Sequence, residues 1–388
     1  MTTDSYIEFL ANCKNEVQKK NQIKLSKGNR NIISSEVFSS FDNVKQVAAS
    51  IRGKFLNNIA DNISKFDKNF TDNGGDIFWC INYNDFIDKL DKLLENKKIR
   101  NVNLFPSKFS EELGVEWFIN NNNNINNNVQ SEDCIIFTPK FGIINTGSLF
   151  LNFQSSIDME IVLRSKMKIF LLPINEFLFK LEEVEIFAHL YSIYHDEVEF
   201  PYLTSIFTPS PIEKDKNTYL FLVDNGRSNI MENKDISKIL TCISCDACKN
   251  VCPVYSLIGD KPYNNVFTGP VGNVVLPYME NIDSYKHLSF SCTSCGNCSA
   301  VCPVQIPISE LIIKNKKYFF ENKLMDMQDE RFGKAMYRSL YSRKRMNAKN
   351  WIKKLRVKML SNSKVIEQYT FSKYSFNQQF LNNDGNNK

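Results

Sequence analysis

Eight of the eleven cysteines fall into two runs with the same spacing. The first run is CISCDACKNVCP, from Cys242 to Pro253, and the second is CTSCGNCSAVCP, from Cys292 to Pro303. Both read C-x2-C-x2-C-x3-C-P, the pattern of bacterial ferredoxins that hold two iron-sulfur clusters. Three thiolates spaced two residues apart can bind three corners of a cubane from one tight loop, while the fourth points elsewhere. The spacing therefore predicts two [4Fe-4S] clusters.

In two-cluster ferredoxins the fourth cysteine of each run binds the other cluster. The predicted ligands of the first cluster, here called the first set, are Cys242, Cys245, Cys248 and Cys302. Those of the second cluster, the second set, are Cys292, Cys295, Cys298 and Cys252. This crossing joins the two runs and brings two redox centres close enough to exchange electrons. The pattern predicts an electron carrier with eight cofactor-binding, metal-ligating cysteines and no catalytic residue.

Other uses of clustered cysteines fit less well. Zinc also accepts four thiolates, but zinc sites usually pair two C-x2-4-C knuckles without a third cysteine or a C-P ending. Disulfides are disfavoured because clustered cysteines in a reducing compartment more often hold metal. A c-type haem needs C-x-x-C-H, which the sequence lacks.

The other residues able to do chemistry are few. Cys80 and Cys134 lie in apolar, strand-like runs and are predicted to be buried small hydrophobes, and Cys13 indicates nothing. The three histidines are His189, His195 and His287, none of them spaced with another ligand. Neither G-x-G-x-x-G nor G-x-x-x-x-G-K-[ST] occurs, so electrons are expected to enter and leave through partner proteins.

The elements around these residues alternate before the cysteine runs and become helical after them. Spacing of apolar residues predicts an amphipathic helix within 33–69, then a strand in NGGDIFWCI and a helix in NDFIDKLDKLLENKK. Further strands are predicted in CIIFTP, KIFLLP and TYLFLVDNG, and a helix in NEFLFKLEEVEIFAHLYSIY. SEDCIIFTPKFGIINTGSLFL is predicted to be a hairpin that turns at Pro139–Gly142, and the Asn-rich tract 119–130 a surface loop.

Composition and charge indicate where such a protein works. With 43% hydrophobic and 23% charged residues, the chain has the balance of a globular protein. No signal-like start or long apolar run occurs, which predicts a cytoplasmic protein. Residues 314–358 hold 15 Lys or Arg against 4 Asp or Glu. This basic segment, with Trp351, Leu355 and Met359 between cations, is expected to meet an acidic partner or the inner face of a membrane rather than nucleic acid.

Three stretches together resemble the lactate-utilization protein B family, over most of residues 50–315. They are LFLVDNGRSNI at 220–230, the run beginning at Cys242 and continuing through GDKPYNNVFTGPVGNVVLPYM, and CTSCGNCSAVCPVQIPISELI at 292–312. The resemblance implies an α/β LUD domain, similar to sugar isomerases and CoA transferases, followed by an α-helical ferredoxin domain with two clusters. The implied domains are an N-terminal helical region 1–70, a LUD-like domain 71–230, a ferredoxin domain 231–320, and a basic helical segment with a polar tail 321–388.

The resemblance also implies a function. Such proteins carry electrons in L-lactate oxidation, beside a cysteine-rich subunit and a second LUD protein. The chain is therefore expected to be a non-catalytic electron-transfer subunit of a lactate, or other 2-hydroxy acid, oxidation complex. Two alternatives stay open: an electron-wire subunit of another respiratory or heterodisulfide-reducing complex, and a LUD domain that itself binds the organic acid.

The sequence departs from the family in two LUD stretches. Asn145 in INTGS stands where the family tends to have an acidic residue. FTPSP at 207–211 replaces a stretch that usually supplies a glycine and an anion-binding arginine. These changes predict that any small-molecule pocket in the LUD domain is reduced or lost.

Overall fold

Helices and strands alternate along the chain before the cysteine runs. The structure, a computed structural model, describes residues 40–122, 125–127, 133–194, 203–210, 217–324, 337–338 and 341–342. Up to residue 232 the elements are α1 Phe41–Asn57, α2 Ile59–Asp72, β1 Asp76–Cys80, α3 Tyr83–Asn96, β2 Asn101–Leu104, α4 Lys108–Glu112, α5 Val115–Asn121, β3 Asn126–Asn127, β4 Cys134–Phe137, β5 Phe141–Ile143, β6 Ser148–Phe153, α6 Ser156–Arg164, β7 Met167–Pro173, β8 Phe177–Leu178, α7 Glu183–Tyr194, β9 Leu203–Phe207, β10 Thr218–Val223 and α8 Arg227–Glu232.

The cysteine region that follows is helical. Its helices are α9 Ala247–Asn250, α10 Pro253–Ile258, α11 Gly269–Met279, α12 Ile282–Ser291, α13 Asn297–Val301 and α14 Ile308–Glu321, with 3-10 turns at Ser237–Thr241 and Lys261–Tyr263. The predicted class, an α/β part followed by a helical cluster-binding part, is confirmed. The chain divides into two compact units, Met1–Ile312 and Ile313–Lys388, and the first holds the sheets and both cysteine runs.

The larger sheet is parallel throughout the described residues. Its order is β1-β10-β7-β4-β2-β3, and each neighbouring pair runs in the same direction. β4, β7 and β10 are buried at every position, as expected when helices cover both faces of a parallel sheet. The carboxyl ends of these strands therefore meet along one edge, here called the carboxyl edge.

The predicted hairpin turn at Pro139–Gly142 is wrong. β4 pairs in the parallel sheet, whereas β5 belongs to a second sheet of order β8-β5-β6-β9. The hairpin joins β5 to β6 instead, and its turn contains Gly147 at φ +60, whose N–H donates to the Ile143 carbonyl at 2.9 Å. The apolar residues of β4 suit a strand that is covered by helices on both faces. The left-handed backbone position of the hairpin turn falls on Gly147, which comes later in the sequence than the predicted turn.

Two other expectations need correction. The helical stretch within 33–69 is two helices rather than one, because Asn58 leaves the helical region at φ −144 between α1 and α2. Residues before 40, including Val37 of the predicted stripe, lie outside the described residues. The Asn-rich tract is in part ordered, since Ile119 and Ile125 are buried in the core and Asn126–Asn127 pairs with β2.

One apolar core joins the α/β part to the cysteine region. Its members from the α/β part include Val44 and Ala48 of α1, Phe141 of β5, and Phe187 and Tyr191 of α7. From the cysteine region it includes Ile243, Cys245, Cys248, Cys298, Cys302, Val304 and Leu311. Two buried cysteines from each run are thus packed in the same core as the first described helix.

Candidate iron-sulfur site

The two cysteine runs have the same backbone conformation. Ser244 and Asp246 in the first loop have φ of 55 and 58, and Ser294 and Gly296 in the second have φ of 58 and 81. Each loop leads into a short helix, α9 or α13, that holds the third cysteine. The left-handed residues reverse the chain twice, so that successive cysteines can face a common centre.

The fourth cysteines are also equivalent. Cys252 and Cys302 both have extended backbone, with ψ of 116 and 121, and each precedes a proline. An X-Pro step favours extended backbone, which is why the run turns away from the loop at this point. The C-P ending therefore sends the fourth thiol out of its own loop in both runs.

Backbone N–H groups point at the sulfur of the first and fourth cysteine in each run, from the same position at the first cysteine and from positions that differ by one residue at the fourth. Donors to Sγ are Ser244 N to Cys242 at 3.4 Å, Ser294 N to Cys292 at 3.3 Å, Tyr255 N to Cys252 at 3.4 Å and Ile306 N to Cys302 at 3.4 Å. Such donors stabilise a thiolate relative to a thiol, and in iron-sulfur proteins they raise the reduction potential. The arrangement suits thiolate ligands.

Electrostatic coupling shows that the first set lies together. Burial raises the pKa of the Cys242 thiol well above its usual value, and Cys245, Cys248 and Cys302 raise it further. Burial also raises the pKa of Cys245 to about 11, with Cys302 adding to the effect. Cys302, 54 residues after Cys248 in sequence, is thus a neighbour of the first loop, as the crossed pairing requires.

The second set is grouped in the same way. The pKa of Cys298 is raised to about 11, mainly by burial. The nearby thiols of Cys292, Cys295 and Cys252 also raise it. All four thiols line one cavity, whose empty space is about 350 Å³ including a part open to solvent. The other lining residues are Val254, Pro270, Asn273, Thr293, Gly296, Ser309 and Ile312. The ligand assignment remains a prediction, and the structure brings together the residues it needs.

The sets differ in exposure. In the first set Cys245, Cys248 and Cys302 are buried, with 7%, 9% and 7% of their surfaces accessible. In the second set Cys298 is buried, but Cys295 is exposed. The first predicted cluster would therefore lie inside the protein and the second near its surface.

Among the described residues, no three His, Cys, Asp or Glu side chains form a group that could hold a single metal ion. A zinc ion with Zn–S bonds of about 2.3 Å would hold its sulfur atoms about 3.8 Å apart, and a four-iron cubane spaces its ligands more widely. The donor set, thiolates alone, fits an iron-sulfur cluster.

A buried arginine fixes the first loop to the α/β part. Arg52 of α1 is 0% exposed and donates to the carbonyls of Thr241 and Leu240 at 3.3 and 3.2 Å, directly before Cys242. It also donates to the carbonyls of Asn175 and Phe177 at 2.8 and 3.0 Å. The role of Arg52 is not apparent from the sequence, because a single arginine in an amphipathic stripe carries no signal of its partners.

A second buried arginine lies in the DNGRS stretch. Both terminal nitrogens of Arg227 bond the carboxylate of Glu112 at 2.8 Å, and its Nε bonds Asn175 Oδ1 at 3.0 Å. Burial lowers the pKa of Arg227, but Glu112 outweighs it and the pKa is raised. Asn175 in turn donates to the Leu240 carbonyl at 3.1 Å. The carboxyl edge is thus filled by a polar network that leads to the first loop.

Two further contacts join the carboxyl edge to the first loop. Lys108 of α4 forms an ion pair with Asp246, the second left-handed residue of the loop. The Tyr191 hydroxyl donates to the Ile243 carbonyl at 2.5 Å, and Lys140 Nζ lies 5.1 Å from the centre of the Tyr191 ring. The first loop therefore occupies the end of the sheet where open α/β folds usually bind ligands.

The two stretches that depart from the family lie side by side. Ser148 Oγ is 2.8 Å from Thr208 Oγ1, and β6 pairs with β9. The INTGS turn is held by α2, because Asn69 donates to the Ile144 carbonyl at 2.8 Å and Asn73 to the Thr146 carbonyl at 2.7 Å. Pro211 lies outside the described residues. The turn thus has a structural role in the packing of α2.

The remaining candidate residues are placed as follows. Cys80 and Cys134 are buried, and burial raises the pKa of each to about 12, as expected for inert thiols. His189 is on α7, where burial lowers its pKa, and His287 is an exposed residue of α12. Cys13, His195 and about two-thirds of the basic segment lie outside the described residues.

Comparison with known proteins places this site in a class. Residues 238–306 match the family model described as a 4Fe-4S dicluster domain. This segment holds all eight cysteines of the two sets. The match supports the binding of 4Fe-4S clusters by this part of the chain.

The particular relatives are lactate utilization proteins. The chain is 39% identical over 122 residues to lactate utilization protein B 1 of Bacillus mycoides (strain KBAB4), covering 31% of this chain and 25% of that one. It is 34% identical over 125 residues to lactate utilization protein B of Bacillus subtilis (strain 168), covering 31% and 26%. It is 30% identical over 188 residues to lactate utilization protein B of Bacillus thuringiensis (strain Al Hakam), covering 47% of this chain and 39% of that one. The predicted resemblance to lactate utilization protein B is confirmed, over a quarter to two-fifths of the length of these relatives.

One solved structure is similar at a lower level. It is a DUF162 family protein from Deinococcus radiodurans, with a TM-score of 0.33 and 12% sequence identity, covering 42% of this chain and 98% of that one. Separately, no helix of the described residues is long and apolar enough to span a membrane.

Proposed function

We propose that the chain is an iron-sulfur electron-transfer subunit of an L-lactate, or other 2-hydroxy acid, oxidation complex, and that it carries electrons through two [4Fe-4S] clusters. The observation that carries the proposal is the pair of equivalent cysteine runs, in which Cys302 lies beside the first loop and Cys252 beside the second. Each cluster would supply reversible one-electron transfer at a potential that the protein sets.

The chain's own residues would hold and separate the two centres. The first set would bind the inner cluster, where Cys245, Cys248 and Cys302 are nearly closed to water. The second set would bind the outer cluster, where exposed Cys295 brings the centre within reach of a partner protein. Because electron transfer needs close approach, we infer that partners exchange electrons at the second set and that the first lies further along the path.

The proposal that lactate is the substrate that donates the electrons rests on the names of the relatives, which match this chain over part of their length. Partners would then be a cysteine-rich subunit and a second LUD protein. The basic segment of residues 314–358 is proposed to contact such a partner or anionic lipid at the inner face of the membrane. An electron-wire subunit of another respiratory complex would use the same cysteine sets with a different fuel.

Binding of the organic acid by the sheet domain is the less supported alternative. It would rest on two turns that keep part of the family pattern, INTGS and DNGRS. Carbonyls of the first accept bonds from α2, and Arg227 of the second is held by both oxygens of Glu112. An arginine committed to a buried carboxylate is a poor binder of a substrate carboxylate, because binding would have to break that pair.

Cluster content is tested on the full chain purified without oxygen. Iron, acid-labile sulfide and zinc are measured, and EPR spectra are recorded before and after dithionite. We expect about eight irons per chain and interacting S = 1/2 signals. Zinc in place of iron, or irons for a single cluster, would contradict the two-cluster proposal.

The fuel is tested in the source organism. Deletion of the gene should abolish growth on L-lactate but not on pyruvate, and the wild-type gene should restore it. Cys302→Ser should fail to restore growth, whereas Cys13→Ser, at a cysteine outside both sets, should succeed. Normal growth of the deletion strain on L-lactate would assign the electron carrier to another oxidation complex.

The partner role of the basic segment is tested by truncation. Removal of the chain from Phe332 onward should leave the iron content unchanged and weaken co-purification of partner subunits. Undiminished co-purification would remove the segment from the partner interface.

A further inference from the structure

Lys140 occupies an unusual position at the carboxyl edge. It follows β4 and the Thr138-Pro139 step, and its backbone N–H donates to the Phe150 carbonyl at 2.8 Å. Its ammonium group lies 5.1 Å from the centre of the Tyr191 ring. The hydroxyl of this tyrosine donates to the carbonyl of Ile243, which lies between Cys242 and Cys245. Lys140 is therefore stacked on the side chain that holds the first cysteine loop.

The ammonium of Lys140 has no close carboxylate partner in the described part of the chain. Burial lowers the pKa of Lys140, and the nearby cation of Lys108 lowers it further. Glu176, Asp246 and Cys245 act in the opposite direction and raise it. Both acidic neighbours have other cations, since Glu176 is 3.4 Å from Arg52 and Asp246 is paired with Lys108 and Lys249. Lys140 is half-buried, and partial removal of a cation from water is costly unless an anion compensates it. A cluster bound by the first set would bring further negative charge to this position, because the Tyr191 side chain links Lys140 to the first loop.

We propose that Lys140 is the counter-charge of the first cluster and raises its reduction potential. This inference rests on the proposed function. Reduction adds one electron, and therefore one negative charge, to a cluster already held by four thiolates, while no bond to the protein forms or breaks. A fixed cation nearby stabilises the reduced state more than the oxidised state. Lys140 is thus a tuning residue for electron transfer.

The second set has different surroundings. Apart from its cysteines, the residues lining its cavity are uncharged: Val254, Pro270, Asn273, Thr293, Gly296, Ser309 and Ile312. It lies closer to solvent, which itself stabilises the added charge of a reduced cluster. The buried first cluster lacks this help from water, so a lysine beside it has a larger effect.

The test is a reductive titration of the full, cluster-loaded chain followed by EPR, with dithionite as the electron source. Wild type, Lys140→Met and Lys140→Arg are compared. Lys97→Met is the matched control, because Lys97 Nζ also lies over a tyrosine ring, 5.5 Å from the centre of Tyr219, and that lysine is exposed. Cys295→Ser assigns the signals, since it changes or removes the second cluster.

We expect Lys140→Met to shift the potential of the first cluster to more negative values and leave the second in place. Lys140→Arg should stay near wild type, and Lys97→Met should match it. If Lys140→Met loses the first cluster while Lys140→Arg keeps it, the need for a positive charge is confirmed as well.

Three results would overturn the inference. They are unchanged potentials in Lys140→Met, an equal shift of both clusters, and loss of the first cluster from both Lys140 variants, which would assign the residue a packing role. In each case a wild-type chain with about eight irons leaves the proposed function intact. Failure of the proposed function is recognised separately, by a wild-type chain that lacks two clusters.

Discussion

The first and second cysteine loops have the same fold and different attachments. Left-handed backbone occurs at the same two positions in each, and in both the N–H group two residues after the first cysteine points at its sulfur. The first loop is bonded to Arg52, Tyr191 and Lys108 of the α/β part. The second has an exposed cysteine and an open cavity. Spacing thus sets the local geometry, while distant residues decide which centre is buried.

The largest expected effect distinguishes crossed from uncrossed binding. If the sets are crossed, Cys302→Ser should remove the same EPR signal as Cys245→Ser, and Cys252→Ser the same signal as Cys295→Ser. Each variant should lose about four of eight irons. The measurement is iron content with EPR of the dithionite-reduced chain. Equal spectra for Cys302→Ser and Cys295→Ser would show that each run binds its own cluster.

The next effect tests the attachment of the first loop. Arg52→Met removes the donors to four buried carbonyls and leaves Glu176 without its cation. Breaking a buried charge network of this kind costs about 3–5 kcal/mol of the free energy of unfolding. Anaerobic urea titration would measure it, and EPR should show preferential loss of the first cluster.

The control for Arg52 is Arg164→Met. Arg164 forms an i,i+4 ion pair with Glu160 at 2.7 Å, and both side chains are 62% exposed. Such pairs contribute about 0.5 kcal/mol or less. Equal destabilisation by the two substitutions would mean that the buried contacts of Arg52 do not hold the loop.

Iron should be removed from the two predicted clusters at different rates. Because Cys295 is exposed and three of the four cysteines of the first set are buried, a chelator with a mild oxidant should release iron in two phases. The signal assigned by Cys295→Ser should disappear in the fast phase. Iron release and EPR are followed on the same samples. A single phase, or earlier loss of the first signal, would contradict the inferred difference in exposure.

The smallest effect concerns one matched position of the two loops. Asp246 and Gly296 are both left-handed, at φ of 58 and 81. Asp246→Gly relieves the backbone but loses the exposed pair with Lys108, so the free energy of unfolding should change by less than about 1 kcal/mol. Gly296→Asp meets open space and should cost about 1 kcal/mol from backbone strain alone. Urea titration of the two variants measures both. A gain in stability for Gly296→Asp would contradict this account.

The sequence predicted the local chemistry and most strands, but not the long-range contacts. Cysteine spacing predicts the loops because neighbouring residues determine them. The runs CIIFTP, KIFLLP and TYLFLV predict strands because a covered parallel strand is apolar throughout. The attachments were not predictable, because Arg52 and Lys140 are recognised only by partners distant in sequence. The predicted hairpin was misplaced for the same reason, because the pairing of β4 with β2 and β7 determines which sheet β4 belongs to.

The bond from Arg52 to Thr241 spans 189 positions of the chain. Both loops of the candidate site follow this point in the sequence, so their cysteines leave the ribosome after the sheet has been synthesised. If the sheet folds first, the first loop binds to an already folded surface. Iron is then inserted into a formed pocket rather than into a flexible peptide. Maturation of this protein would thus follow an order in which the polypeptide positions the first cysteine set before iron arrives.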